Sequence, residues 1–273
     1  MSGASSLHAE FLGRVGEHIL ALLHVPVRPA MGCILIVPPF AEEMNKSRRM
    51  MSLVARDLAA RGFAVAMLDV FGTGDSDGEF EQATWARWVT DVGVVAAWCA
   101  RKGHPVTGVL GIRLGCALAA AASMHLPAST QRAVFWQPVP EGARVLEQFL
   151  RLRVAASMME QDKKETVKDL RERLRNGETL EVAGYNVSGA LAVAMDSIRL
   201  AELPLGSADV HWIDIVREEK PPVPPTAKAL DALRAQGRTV TYHQVIGEPF
   251  WSATEIVCIP ELVAKTVDVF SAA

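Results

Sequence analysis

The stretch "VTGVLGIRLGCALAAAASM", residues 106–124, decides the fold. An apolar run enters Gly111, reaches Gly115 four residues later, and passes directly into an alanine-rich helix. That is the layout of a strand–turn–helix elbow, G-x-S-x-G, which presents its middle residue at the carboxyl edge of a sheet. Here the frame is Gly111-Ile112-Arg113-Leu114-Gly115, so the presented residue is Arg113. A serine in that place can attack a carbonyl once a base takes its proton. A guanidinium stays protonated at pH 7 and is no nucleophile.

Outward from the elbow, strand and helix alternate. "MGCILIVPPF" (31–40) and "FAVAMLDV" (63–70) are apolar on both faces, as buried parallel strands are. "NKSRRMMSLVARDLAARG" (45–62) has helical spacing, with Met50, Leu53, Val54 and Leu58 on one face and Gly62 as a stop. "ATWARWVTDVGVVAAWCARKG" (83–103) is the next helix, and "QRAVFWQPV" (131–139) the strand after the elbow helix. The pattern resumes after residue 207: strand "ADVHWIDIV", helix "TAKALDALRAQG", strand "TVTYHQVIG", closing helix "PELVAKTVDVF". "HAEFLG" and "HILALLHVPV" at the start suit an antiparallel hairpin on a sheet edge. Alternation of this kind predicts right-handed crossovers and a mostly parallel sheet flanked by helices, an α/β class. Residues 141–204 break it with a charged stretch, "EQDKKETVKDLRERLR", and a small apolar one, "GYNVSGALAVAMDSI". We read 141–204 as an inserted helical cap on a core made of 1–140 and 205–273.

Composition narrows the classes. Twenty-eight basic residues against thirty-one acidic ones, with no polybasic run, exclude an evident nucleic-acid surface. No apolar run is long enough to span a bilayer, and the N-terminal residues lack a signal-peptide pattern. Cys33, Cys99, Cys116 and Cys258 are scattered, without metal-ligand spacing. We expect four buried thiols, a cytoplasmic location, no metal and no cofactor.

Three segments, "PPFAEEMNKSRRM" (38–50), "DVFGTGDSDGEF" (69–80) and "GIRLG" (111–115), resemble the exosortase A system-associated hydrolase 2 family of the α/β-hydrolase superfamily. That family accompanies the machinery that sorts PEP-CTERM proteins in Gram-negative bacteria. The resemblance covers most of the chain and implies an α/β-hydrolase fold with a cap after the sixth strand. It also implies protein partners within the exosortase system.

Against that implied activity stand the residues themselves. The serine position is Arg113. The acid position, after "ADVHWIDIV", offers only Glu218 in "VREE". The histidine turn after the last strand reads Gly247-Glu248-Pro249-Phe250-Trp251, and no histidine follows His243. His211 and His243 sit within strands; His104 and His125 fall at the opposite edge. Loss of serine or histidine alone collapses triad catalysis by orders of magnitude. Cys116, one turn into the helix, has no base and reads as a small buried residue.

At Arg113 two readings stay open: an anion site helped by the helix N-terminus, or an ion pair with a carboxylate of the same chain. The loop after the first central strand carries Glu42, Glu43 and Asn45. One glutamate is the obvious partner for Arg113, and Glu43 or Asn45 could instead cap a helix starting near Lys46. In "DVFGTGDSDG" the glycines permit positive φ, and Asp75 and Asp77 are expected to fix loop amides. Phe40, Phe250 and Trp251 supply apolar wall. The leading expectation is a cleft that has lost Ser-His-Asp chemistry and binds a small anionic or amphipathic molecule. A second is an enzyme using Glu42 or Glu43 as acid or base with Arg113 as clamp. A third is a non-enzymatic partner protein of the exosortase machinery.

Overall fold

The computed structural model describes residues 5–159 and 165–272. Its strands are β1 (Ser6–Leu12), β2 (Ile19–Val25), β3 (Cys33–Val37), β4 (Ala64–Leu68), β5 (Val106–Ile112), β6 (Arg132–Trp136), β7 (Leu180–Val182), β8 (Tyr185–Val187), β9 (Asp209–Val216) and β10 (Val240–Ile246). The helices are α1 (Glu42–Ala60), α2 (Trp85–Arg101), α3 (Leu114–Ala121), α4 (Gly142–Met159), α5 (Val167–Arg175), α6 (Gly189–Ser197), α7 (Pro224–Ala235) and α8 (Pro260–Ser271).

Eight strands form one sheet in the order β1-β2-β4-β3-β5-β6-β9-β10. The β1–β2 and β2–β4 pairs are antiparallel and all others parallel. This is the α/β-hydrolase fold, with the expected antiparallel start and parallel centre. The central strands are short apolar runs because they are covered on both faces. All five residues of β3 are buried, and β5 is buried at every position but Thr107. One face packs against α2 and α3 through residues such as Leu35, Val109, Trp88 and Leu118. The other packs against α1 and α8 through Ile34, Leu110, Met50 and Phe270. Trp136, fully buried, donates its indole N–H to Thr266 of α8 at 2.8 Å and so ties that helix to the sheet.

The elbow lies between β5 and α3. Its two glycines are dictated by close approach. A Cβ at Gly111 would overlap the backbone of Cys116, and one at Gly115 the carbonyl oxygens of Val37 and Pro38. The helix can start this near the sheet only without those side chains. The turn residue Arg113 takes φ 55°, ψ −119°.

Three expectations are corrected here. Helix α1 starts at Glu42, not near Lys46, so Asn45 is a helical residue and caps nothing; the N-cap is Ala41, at φ 50°. The segment between β6 and β9 is not all helical. It holds α4, α5 and α6 but also a small hairpin, β7–β8, turned by Ala183 and Gly184, both at positive φ. Three-residue strands leave too little alternation to be read from sequence, and an Ala-Gly turn is a weak hairpin signal. Of the charged stretch 160–175, residues 160–164 lie outside the described residues. The rest carries α5, whose start is closed by a Thr166–Asp169 capping box. Cys33, Cys99 and Cys116 are buried, but Cys258 is exposed in the loop before α8, which corrects the expectation of four buried thiols.

Candidate functional site

A cleft of about 410 Å³ opens where the elbow, the N-terminus of α1, helix α4 and the loop after β10 meet. Glu42, Glu43 and Phe40 come from the β3–α1 junction, Arg113 from the elbow, and Gln137 from the end of β6. Val145, Gln148, Phe149 and Leu152 come from α4, and Trp251 and Ser252 from the last loop. Five parts of the chain, far apart in sequence, thus converge at the carboxyl edge of the sheet, where α/β folds place their sites.

Arg113 is tied down on three sides. Its Nε donates to Glu43 Oε1 at 3.1 Å, and Nη2 lies 3.1 Å from the same oxygen. Nη2 also donates to Gln148 Oε1 at 2.8 Å. The guanidinium carbon stands 4.9 Å from the ring centre of Trp251, a cation–π contact. The side chain of Arg113 is only 8% exposed and that of Glu43 12%. Of the two readings the sequence leaves open, the geometry is that of the ion pair with a carboxylate of the same chain. The cation is neutralised where it stands, and a buried charge of this kind is tolerated only when paired and hydrogen-bonded.

The glutamates differ. Burial pushes the Glu43 carboxyl up, and Arg113 pulls it back through its charge and hydrogen bond. Glu42 has no ion-pair partner among the described residues. Burial, with the adjoining charge of Glu43 adding to it, raises its carboxyl to about 7, opposed by its own backbone N–H, Lys46 and Arg113. One oxygen of each carboxylate, Glu42 Oε2 and Glu43 Oε2, is buried with no hydrogen-bond donor. Both amides of the cleft are oriented by what they accept. Gln137 Oε1 takes the Ile215 N–H at 2.6 Å and Gln148 Oε1 takes Arg113, so each NH₂ is left as a donor.

The remaining sequence candidates fall as follows. Phe40 is buried in an edge-to-face aromatic cluster with Phe80, Trp88 and Phe149, and forms part of the cleft wall. Asn45 is exposed and donates to the Tyr185 hydroxyl at 3.2 Å, a link between α1 and the β7–β8 hairpin. Phe250 is 1% exposed and packs edge-on against Trp136 and Trp251. It supports the cleft from behind, and its neighbour Trp251 is the residue that meets Arg113. Glu218 is exposed in the loop after β9 and is not among the residues lining the cleft. His243 pairs with His211 at 3.2 Å, burial pushes it down to about 4, and neither residue is among those lining the cleft. Cys116 is fully buried, and burial raises its thiol well above the usual range.

The "DVFGTGDSDG" loop is architectural. Asp69 Oδ2 accepts from Arg48 and from the Asp75 N–H, each at 3.0 Å, and Asp77 Oδ2 accepts the His18 N–H at 2.8 Å. Asp75 contributes only its backbone; its side chain is exposed. Among the described residues no group of three or more His, Cys, Asp or Glu side chains could hold a metal. No helix among them is long and apolar enough to cross a membrane.

A sequence model of the X-Pro dipeptidyl-peptidase (S15) family matches residues 18–170, more than half of the chain and the whole region from β2 through the elbow to α5. The chain belongs to the X-Pro dipeptidyl-peptidase (S15) family. No curated protein matches this S15-family chain in sequence. Solved structures match it over nearly its full length. Est1E from Butyrivibrio proteoclasticus, with ferulic acid bound, aligns at TM-score 0.70 and 18% identity over 96% of this chain and 97% of its own. The esterase domain of a Rhodothermus marinus protein aligns at 0.61 and 16% identity over 98% and 96%. A carboxyl esterase from Bacillus coagulans, in complex with glycerol, aligns at 0.61 and 14% identity over 97% and 98%. At such identities the likeness establishes the fold. The S15 match takes in Glu42, Glu43, Arg113 and Gln148 and stops short of Trp251.

Sequence reasoning misses Gln137, Gln148 and the apolar side of α4. The α4 residues had a signal: 145, 148, 149 and 152 are spaced as one helical face. Gln137 had none, because its place depends on a positive φ of 44° at a strand end.

Proposed function

We propose that this S15-family chain is a non-hydrolytic member of the α/β-hydrolase superfamily whose cleft binds a small amphipathic molecule. The observation that carries the reading is Arg113 at the tip of the elbow, locked by Glu43, Gln148 and Trp251. The Ser-His-Asp set is degenerate: an ion pair stands in place of the nucleophile, and an aromatic ring where a base would be needed. In this reading residues 141–204 act as a cap on the core formed by 1–140 and 205–273, with α4 supplying the apolar wall against the ligand. The ion pair removes the free cation that an anionic head would need, so the amphipathic half of the expectation is the half retained. The location is cytoplasmic. The association with the exosortase and PEP-CTERM machinery rests on the likeness of the three motifs.

The test is turnover of p-nitrophenyl acetate and butyrate. Wild type and Arg113→Ser are both expected to show no activity above buffer, since no histidine is placed to activate a hydroxyl. Ester turnover that disappears in Arg113→Ala would overturn the reading.

One observation favours a second reading, an enzyme in which Glu42 acts as acid or base. Its carboxyl titrates near 7, where proton transfer in either direction is efficient. It predicts a reaction with a bell-shaped or sigmoid pH profile centred near neutrality and abolished in Glu42→Gln. The third reading, a partner protein using the cap as a docking face, is less well supported. The cleft is open, and the large exposed apolar residues of the cap among the described residues are three, Leu152 and Met158 on α4 and Val193 on α6.

A further inference from the structure

The charges that line the cleft do not cancel. Glu43 and Arg113 neutralise each other, and Glu42 is left over. Lys46, one turn along α1, is exposed and reaches the Ser252 carbonyl at 3.5 Å instead of Glu42. The cleft wall also holds two buried carboxylate oxygens without donors, Glu42 Oε2 and Glu43 Oε2. Glu43 as a whole residue is 9% exposed and its side chain 12%. A buried acceptor without a donor is unfavourable, and a ligand that brings donors relieves it. An anion would have to take Arg113 from Glu43 and leave that glutamate buried and unpaired. The same cleft is lined on its apolar part by Val145, Phe149 and Leu152 of α4 and by Phe40.

We infer that the cleft takes an amphipathic primary amine, its ammonium head donating to Glu42 and Glu43 and its apolar stem lying along α4. This rests on the reading of the cleft as a ligand site and names the head group. An ammonium has three donors and no acceptor, which matches two neighbouring carboxylates better than a hydroxyl or a carboxylate does. It also supplies the single positive charge that Glu42 leaves unmatched.

The assignment has a pH signature. The groups around Glu42 are Glu43 and Lys46 on α1, Arg113 on the elbow, and Tyr185 on the hairpin, whose hydroxyl is pushed up by burial and by Glu42. Helix α4 and the last loop face it with uncharged Gln148, Trp251 and Ser252. Of this set the Glu42 carboxyl lies at about 7, and the Glu43 carboxyl is also pushed up by burial but pulled back by Arg113, while an alkylamine stays protonated.

The experiment is calorimetric titration of the full chain with octylamine, octanoate and octanol, at pH 6 and pH 8. Octylamine is expected to bind best and to bind about tenfold tighter at pH 8 than at pH 6, as Glu42 ionises. Glu42→Gln keeps the shape and is expected to lose both the pH dependence and about tenfold or more of the affinity at pH 8. A thermal melt confirms that the variant is folded. If octanoate or octanol binds as well as octylamine, and Phe149→Ala weakens it, the amine assignment is overturned while the cleft stays a binding site. If no octyl probe of any charge binds, the binding reading falls with it.

Discussion

Arg113 shows what a single position can decide. The turn forces a non-glycine residue to φ 55°, a conformation that persists only where the surroundings over-determine it. The fold's demand for that turn is met, and the side chain it presents is a cation clamped to Glu43. Beside it, Glu42 carries the clearest consequence for stability. Its carboxyl is raised from 4.5 to about 7 in the folded chain, so the folded state holds its proton more tightly than the unfolded one. The favourable contribution is complete below about pH 4.5 and is lost as pH rises through about 7. Glu42→Gln should therefore be more stable than wild type at pH 8 by about 1–2 kcal/mol, a figure kept low because the cleft is partly open to solvent. At pH 4 the two should be equal. Urea denaturation at the two pH values measures this; a stabilisation of the same size at pH 4 would show that the carboxyl is not the cause.

At the scale of elements, the elbow is a packing solution. Helix α3 approaches β3 so closely that Gly115 lies against the carbonyl oxygens of Val37 and Pro38. Gly115→Ala should cost on the order of 3 kcal/mol, because backbone and not a mobile side chain must give way. A urea midpoint unchanged within error would mean that α3 can slide. The order of the elements was legible because apolar runs, helical spacing and glycine stops all act within a dozen residues. The start of α1 and the β7–β8 hairpin were not. The first depends on a strained Ala41 at φ 50°, and the second on three-residue strands whose Leu180, Val182 and Val187 are buried in the core and whose Tyr185 packs edge-on against Phe80 and Phe149.

At the scale of the whole molecule, few polar contacts join the segment between β6 and β9 to the rest near the cleft. Gln148 to Arg113 at 2.8 Å and Asn45 to Tyr185 at 3.2 Å are two of them. Gln148→Leu should cost about 1.5–3 kcal/mol, as hydrogen bonds to a charged group do. It should also speed amide exchange in α4 more than in β5. Uniform loss of protection would mean that the segment between β6 and β9 and the rest of the chain unfold as one unit. The sequence by itself determined the mostly parallel α/β order, the elbow and the residue it presents, since each follows from local pattern: apolar period, glycine spacing and the identity at one position; the α/β-hydrolase fold was implied by the resemblance of three motifs. It also carried the absence of a histidine after the last strand. Only the tertiary structure decided what Arg113 touches, that Glu43 and not Glu42 is its partner, and that Gln148 and Trp251 close around them. Those contacts join residues 35 to 138 positions apart in the chain. The burial that raises Glu42 arises only when α1, the elbow and α4 come together, and no local pattern encodes the depth of a cleft.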